Sequence, residues 1–113
     1  MLQLSKDDIY AALAKVIDPE LGIDIVKLGL VYAVEVSERE HKPGDALKPH
    51  VTILMTLTTP GCPLAGVFDA MVRDALYGLP DLDPDNQVTL NLTFDPPWVP
   101  DMMDEEAKAE LGF

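Results

Sequence analysis

This 113-residue sequence contains a single cysteine, Cys62. One cysteine forms neither an intramolecular disulfide nor a four-thiolate metal site, so any redox or cluster chemistry needs further ligands from elsewhere. Basic residues are scarce too: eight Lys and Arg stand against twenty Asp and Glu, and the formal net charge is -12. An acidic surface repels nucleic-acid phosphate and anionic lipid, so neither nucleic acid nor a membrane is expected as a partner.

Long apolar runs and phosphate-binding glycine motifs are also missing. No stretch approaches the roughly 18 apolar residues of a membrane span, and residues 1–6 lack the apolar core of a signal peptide. The glycines do not fit the spacing of a Walker A or dinucleotide-binding loop. We therefore expect a cytoplasmic protein whose residues 1–113 form a single domain, since domains cluster at about 100–150 residues.

Three segments have the apolar spacing of helices. In the first, Ser5 and Asp8 resemble a capping box, and Pro19 forces the helix to end before it. The second has the strongest apolar periodicity in the sequence, and Cys62 is expected as its N-cap. The third is expected to be capped by Asp101, with Gly112 just past its end. The predicted ranges are 6–17, 64–79 and 101–111.

Three further segments alternate apolar and polar residues, which predicts half-buried strands at 30–37, 51–58 and 88–95. The order is helix, strand, strand, helix, strand, helix. A long loop over 38–49 makes strands one and two a hairpin, and the helical crossover makes strands two and three parallel. The prediction is a two-layer α+β domain with a three-stranded mixed sheet and helices mainly on one face.

Cys62 is the best candidate for a functional atom. Pro63 favours the first helical position and restricts the preceding residue to an extended conformation, which places the sulfur near unpaired backbone N–H groups. Helix starts favour thiolate, which is both a better nucleophile and a better ligand for soft metals. The alternative is a buried, inert cysteine.

Other polar residues fall where they could support Cys62. Thr58, Thr59 and Gly61 precede it in the same strand-to-helix connection, and Asp18 and Glu20 form an acidic turn after the first helix. Each also has an ordinary interpretation, as a strand end or as a solvated turn.

A rigid segment after strand three, Asp95-Pro96-Pro97-Trp98, presents a carboxylate and an indole at the possible rim of this site. Trp98 fits a lid on the core equally well. His41 and His50 have no metal-binding or catalytic spacing, and we assign them no role.

The sequence resembles the SufT/PaaD-like family of metal-sulfur cluster assembly factors. The resemblance rests on four blocks in the family's order, which are Asp18-Pro19-Glu20, residues 24–31, residues 58–63 and Pro96-Pro97-Trp98. It implies a small α+β fold and a part in maturing iron-sulfur proteins. It also implies that Cys62 is the principal reactive or ligating residue and that the same site is lined by Asp18, Glu20, Asp24, Thr58 and Thr59. Relatives in phenylacetate oxidation carry an additional cysteine-rich tail that is not found before Phe113, so we expect the general cluster-assembly branch.

The resulting hypothesis is a non-enzymatic factor that binds iron or an iron-sulfur cluster transiently through Cys62 and delivers it to client apoproteins. Clusters normally use four cysteines, so the site would be completed by a second subunit, an assembly protein or the client. The alternative is an interaction adaptor of a cluster-assembly or phenylacetate-oxygenase system, in which Cys62 is structural. A thiol-dependent hydrolase or reductase ranks last, because it needs a nearby base or a resolving cysteine.

Overall fold

The computed structural model describes residues 4–19, 21–40, 43–44, 46–58, 62–79 and 82–112, without the side chains of residues 62–64. The regular elements are, in chain order, α1 (Lys6–Leu13), β1 (Val31–Arg39), β2 (Lys48–Met55), α2 (Cys62–Leu76), α3 (Pro84–Gln87), β3 (Val88–Leu92) and α4 (Glu105–Leu111), with a 3-10 turn at Pro100–Met102.

The three strands form one mixed sheet in the order β1-β2-β3. β1 runs antiparallel to β2, with Val34 opposite Ile53, and β3 runs parallel to β2, with Leu90 opposite Ile53. The predicted α+β fold with a three-stranded mixed sheet is confirmed.

One face of the sheet carries the core. Val51, Ile53 and Met55 of β2 are fully buried, whereas the alternating residues Thr52 and Leu54 are only half-buried. Helices α1 and α2 supply the opposing layer with buried apolar side chains, which are Ile9, Ala12, Leu13, Phe68, Val72 and Leu76. The buried side chains of β2 and those of α1 and α2 therefore form one core between the sheet and the helices, as expected.

Helix α1 begins as predicted and ends earlier than predicted. Ser5 Oγ accepts a hydrogen bond from the N–H of Asp8 at 3.2 Å, and Asp8 Oδ2 accepts one from the N–H of Ser5 at 3.0 Å, so the capping box is present. The predicted end at residue 17 is wrong, because the helix stops at Leu13. The carbonyl of Val16 instead accepts a hydrogen bond from Ile25, which draws this segment into the following loop.

The strand boundaries also move. β2 starts at Lys48 because residues 48–50 pair with residues 37–39 of β1, and it ends at Met55 opposite Leu92 of β3. The predicted ends at 58 and 95 are therefore too late. In β1 the register shifts between Val31 and Ala33, which leaves Tyr32 without a partner residue in β2.

The second and the last of the predicted helices have other boundaries in the structure. Helix α2 covers Cys62–Leu76 instead of 64–79. The final helix is capped by Asp104, whose Oδ1 accepts the N–H of Ala107 at 2.8 Å, so the prediction of Asp101 as the cap is wrong. Asp101 lies in the 3-10 turn that precedes this cap, and Gly112 closes the helix with a φ of 81° as expected.

The short helix α3 was not predicted. Asp83 caps it by accepting the N–H of Asp85 at 3.1 Å. Arg73 of α2 joins it to the rest of the fold, since its guanidinium donates to the carbonyls of Pro84 and Val88 and pairs with Asp69. Within the described ranges, no helix has the length and apolar character needed to cross a bilayer.

Candidate functional site

Cys62 is the first residue of α2, the longest helix of the described part of the chain. The first N–H groups of a helix have no partner within it, and the helix dipole is positive at this end, so a nearby anion is stabilised. The first turn of α2 carries no acidic residue that would compete for this position. The expectation that Cys62 lies at a helix start is met, but the prediction that it is the N-cap is wrong, because Cys62 is the first residue inside α2.

The segment that leads to Cys62 leaves the sheet beside two other pieces of chain. Directly after β2, the N–H of Thr56 donates to the carbonyl of Leu30 at 2.8 Å, and the carbonyl of Met55 accepts the N–H of Thr93 at 2.9 Å. This end of β2 is therefore joined both to the 24–30 loop and to the chain that follows β3. Thr58, half-buried, lies two residues further on. Thr59 and Gly61 lie outside the described residues.

Asp18 shapes the loop that follows α1. It is 2% exposed, and its Oδ1 accepts the N–H of Leu21 at 3.1 Å. Its backbone N–H donates to Ile23 at 2.9 Å and its carbonyl accepts from Gly22 at 2.8 Å. This buried carboxylate therefore closes a tight loop. Glu20, predicted to be its neighbour in the site, is outside the described part of the structure.

Asp24 caps the next turn of the same loop. It is 8% exposed, and its Oδ1 accepts the N–H groups of Val26 at 3.0 Å and of Lys27 at 2.9 Å. Residue Ile17, next to Asp18, pairs with Asp24 through an isolated antiparallel bridge. The structure thus brings Asp18 and Asp24 into one loop, and Leu30 joins that loop to the strand end that leads to Cys62. That both residues line a site with Cys62 stays a prediction.

Sequence reasoning missed Thr56. This residue is fully buried, and among the described residues its hydroxyl Oγ1 has no hydrogen-bond partner. An unpaired buried hydroxyl is unfavourable by about 1–3 kcal/mol, so such groups are rare in folded proteins. In the sequence Thr56 is one of several threonines in an alternating strand, and nothing in that pattern sets it apart.

Trp98 packs against the core and fixes the 24–30 loop from the other side. Its indole N–H donates to the carbonyl of Leu28 at 2.6 Å. Gly29 of that loop lies against the backbone of Met102: a Cβ at Gly29 would be 2.3 Å from the Met102 carbonyl oxygen. Asp95, by contrast, is exposed, and its backbone N–H donates to Thr93 Oγ1 at 3.2 Å.

Lys27 adds a charge contact between the loop and α4. Its Nζ lies 3.1 Å from Glu106 Oε1. The hydrogen bond to the Glu106 carboxylate, together with its negative charge, raises the pKa of Lys27, and the nearby charge of Asp24 acts in the same direction. Three contacts thus join the loop to the carboxyl-terminal segment. They are the hydrogen bond from the Trp98 indole to Leu28, the packing of Gly29 against Met102, and the ion pair between Lys27 and Glu106.

The described side chains, which do not include that of Cys62, contain no group of three His, Cys, Asp or Glu residues able to hold a metal ion. His50, to which no role was assigned, is buried at the sheet with its Nε2 2.8 Å from Thr89 Oγ1. The described side chains therefore form no metal-binding group by themselves, and a group that includes Cys62 lies outside the described part of the structure.

Comparison with known proteins identifies relatives of the whole chain. Residues 6–90 match the family model described as iron-sulfur cluster assembly protein. The chain is 45% identical over 112 residues to the Fe-S protein maturation auxiliary factor YitW of Bacillus subtilis. The matched region is 99% of this chain and 98% of that protein. It is 43% identical to the Fe-S protein maturation auxiliary factor SufT of Staphylococcus aureus over 86% of this chain and 97% of that one.

A solved structure gives the same fold. The crystal structure of a domain of unknown function from Bacillus anthracis superposes with a TM-score of 0.75 at 38% sequence identity, covering 96% of this chain and 92% of that one. The sequence comparison and the structural comparison therefore each find a relative that matches nearly the whole chain.

Proposed function

This chain belongs to the family of iron-sulfur cluster assembly proteins, and from that premise we infer that it serves in the maturation of iron-sulfur proteins. The resemblance predicted from the four sequence blocks is thereby confirmed. We propose further that the protein delivers iron or an iron-sulfur cluster to client apoproteins through Cys62. The observation that carries this proposal is the position of Cys62 at the first residue of α2, directly after the strand-end segment joined to the Asp18 and Asp24 loop.

The helix start suits a thiolate that must hold iron for a short time. Unpaired N–H groups and the helix dipole stabilise the anionic sulfur, and thiolate is the ligand that iron-sulfur clusters use. A stabilised thiolate is also a better leaving group in exchange reactions. A transient carrier needs both properties.

Delivery is then a ligand exchange at iron. A cysteine of the client loses its proton to solvent and forms an Fe–S bond, while the Fe–S bond to Cys62 breaks and Cys62 leaves as thiolate. The number of bonds at iron is unchanged, and no electron moves. The other ligands come from a second subunit, an assembly protein or the client, since one thiolate per chain holds no cluster alone.

We assign the neighbouring residues a supporting role. Asp18 and Asp24 use Oδ1 for backbone hydrogen bonds, which favours a role in shaping the loop over direct binding of cargo. Glu20, Thr58, Thr59 and Gly61 are proposed members of the same site, with Asp95 and Trp98 at its rim. We propose a non-catalytic role in the cytosol, where a lone cysteine is kept as a free thiol.

The experiment is a comparison of Cys62→Ser with Ala70→Ser, an exposed position on the same helix. Cells that carry each variant are assayed for the activity of cluster-dependent enzymes, and each purified protein is loaded anaerobically with iron, sulfide and a small thiol that supplies the remaining ligands. We expect Cys62→Ser to lose both client activity and cluster absorbance while its circular dichroism stays native. Ala70→Ser should behave like the unaltered protein.

Full client activity of Cys62→Ser would overturn the carrier proposal and favour an adaptor with a structural cysteine. Cluster absorbance that does not depend on Cys62 would also contradict it, because the thiolate would then not be a ligand.

A further inference from the structure

The segment after β3 forms an exposed apolar surface. We define the apolar ridge as residues 94–100, in which every residue except Trp98 is exposed. Phe94 is 42% exposed and Val99 is 46% exposed. Three prolines extend the surface between and beside them, at positions 96, 97 and 100. Five exposed apolar residues within seven positions are more than the scattered apolar residues of an ordinary surface.

The ridge is held in one conformation from beneath. The hydroxyl of Tyr32, the residue of β1 that has no partner in β2, donates to the carbonyl of Pro96 at 2.8 Å. The indole of Trp98 donates to Leu28 at 2.6 Å. A surface that is already ordered loses little conformational entropy when a partner binds, which favours binding.

The ridge begins at the same end of the sheet as the segment that leads to Cys62. Leu92, the last residue of β3, lies opposite Met55, the last residue of β2. The ridge therefore leaves the sheet at the same end from which the chain runs to Cys62. A partner bound at the ridge is held at this end of the molecule.

The charge around the ridge selects among partners. Residues 94–112 contain six carboxylates and one cation, Lys108, and Lys27 of the 24–30 loop pairs with one of the six, Glu106. The six are Asp95, Asp101, Asp104, Glu105, Glu106 and Glu110. They disfavour anionic lipid and nucleic acid, and they also disfavour a second copy of this acidic chain. A protein surface with a basic rim is the complementary partner.

We propose that the apolar ridge is the docking surface for the client apoprotein, which presents an apolar groove rimmed by Lys and Arg. This inference rests on the proposed function, because it names the partner to which the cargo is delivered. The contact brings the client's cysteines to the end of the sheet from which Cys62 follows.

The test uses a client enzyme stripped of its cluster anaerobically with a chelator. The ridge variant combines Phe94→Ser and Val99→Ser, and the matched control combines Leu47→Ser and Val67→Ser at two exposed apolar positions elsewhere. We expect the ridge variant to weaken the Kd for the apo client by about tenfold or more, as loss of interface anchors does. The control should bind like the unaltered protein, and both variants should take up iron and sulfide normally.

Salt provides a second readout. Raising NaCl from about 50 mM to about 300 mM should weaken binding of the unaltered protein several-fold, since screening removes the attraction between acidic and basic rims. An unchanged Kd of the ridge variant, equal loss in the control, or self-association through the ridge would overturn the proposal. A weakened Kd together with a fully active Cys62→Ser would instead keep the docking surface and reject the Cys62 carrier.

Discussion

The indole N–H of Trp98 donates a hydrogen bond to the carbonyl oxygen of Leu28 at 2.6 Å, across 70 positions of sequence. Leu28 belongs to the turn that Asp24 caps, and Leu30 of the same loop accepts the N–H of Thr56 at the end of β2. One side chain near the end of the chain therefore fixes the loop that lies between Asp18 and the strand leading to Cys62.

Trp98→Phe should reduce the free energy of unfolding by about 1–3 kcal/mol, because it keeps most of the apolar surface but leaves the Leu28 carbonyl without its donor. Urea denaturation measures the change. Val99→Ala, at the exposed neighbouring position, is the control and should stay within about 0.5 kcal/mol of the unaltered protein. Equal stability of Trp98→Phe would mean that the hydrogen bond contributes nothing.

Gly29→Ala should be more damaging than Gly22→Ala, although both glycines have a positive φ, of 76° and 71°. Alanine in this conformation costs about 1–2 kcal/mol at either position. At Gly29 the new Cβ would also meet the carbonyl oxygen of Met102 at 2.3 Å, whereas at Gly22 nothing lies within 4 Å. Overpacking adds about 1–3 kcal/mol.

Thermal and urea unfolding of the two glycine variants give the comparison. Equal losses at the two positions would show that the contact between Gly29 and Met102 is not close in solution.

Thr56→Val should leave the protein equally stable or stabilise it by about 1 kcal/mol, because valine has the same shape and removes a buried hydroxyl that lacks a described partner. Thr52→Val, at a half-buried position of β2, is the comparison. The urea midpoint measures both. A clear loss of stability in Thr56→Val alone would reveal a hydrogen bond to this hydroxyl.

Tyr77 should ionise at a higher pH in the folded protein than in Asp85→Asn. Its hydroxyl donates a hydrogen bond to the Asp85 carboxylate, which raises the pKa of Tyr77 above its ordinary value of 10.0, and the negative charges of Asp85, Asp83 and Asp74 add to the effect. Because the folded pKa exceeds the unfolded one, the stabilising contribution is complete below pH 10.0 and is lost as the pH rises through the folded pKa.

The phenolate absorbance, recorded as a difference from Tyr77→Phe, isolates this group from the other tyrosines. A titration midpoint that does not move to lower pH in Asp85→Asn would rule out the hydrogen bond as the cause.

Local chemistry made much of the fold predictable. The Ser5 and Asp8 capping box, the apolar periodicity of α2 and the alternation in the strands each depend on residues close in sequence, and each is found in the structure. Boundaries were less predictable, because they depend on distant backbone. Helix α1 ends early because Val16 bonds to Ile25, and β2 ends at Met55 because the next N–H goes to Leu30.

The candidate site divides in the same way. The Gly-Cys-Pro context predicted a helix start at Cys62, and the four sequence blocks predicted the family. That residues 1–113 form one domain stays a prediction. The same holds for the whole predicted site, which consists of Cys62, Asp18, Glu20, Asp24, Thr58, Thr59 and Gly61 with Asp95 and Trp98 at its rim. No sequence pattern marked Thr56, because an orphan hydroxyl is defined only by what surrounds it.

The sequence by itself determined the element order, the mixed sheet, the lone thiol and the family, since these follow from periodicity, turn chemistry and motifs that neighbouring residues carry. Only the tertiary structure decided which residues the carboxyl-terminal segment contacts. Trp98 donates its indole N–H to a carbonyl 70 positions away, and no residue near Trp98 in the sequence indicates that contact. This contact joins the exposed segment 94–100 to the loop that Asp24 caps. The same loop is joined to the end of β2 by the hydrogen bond from Thr56 to Leu30.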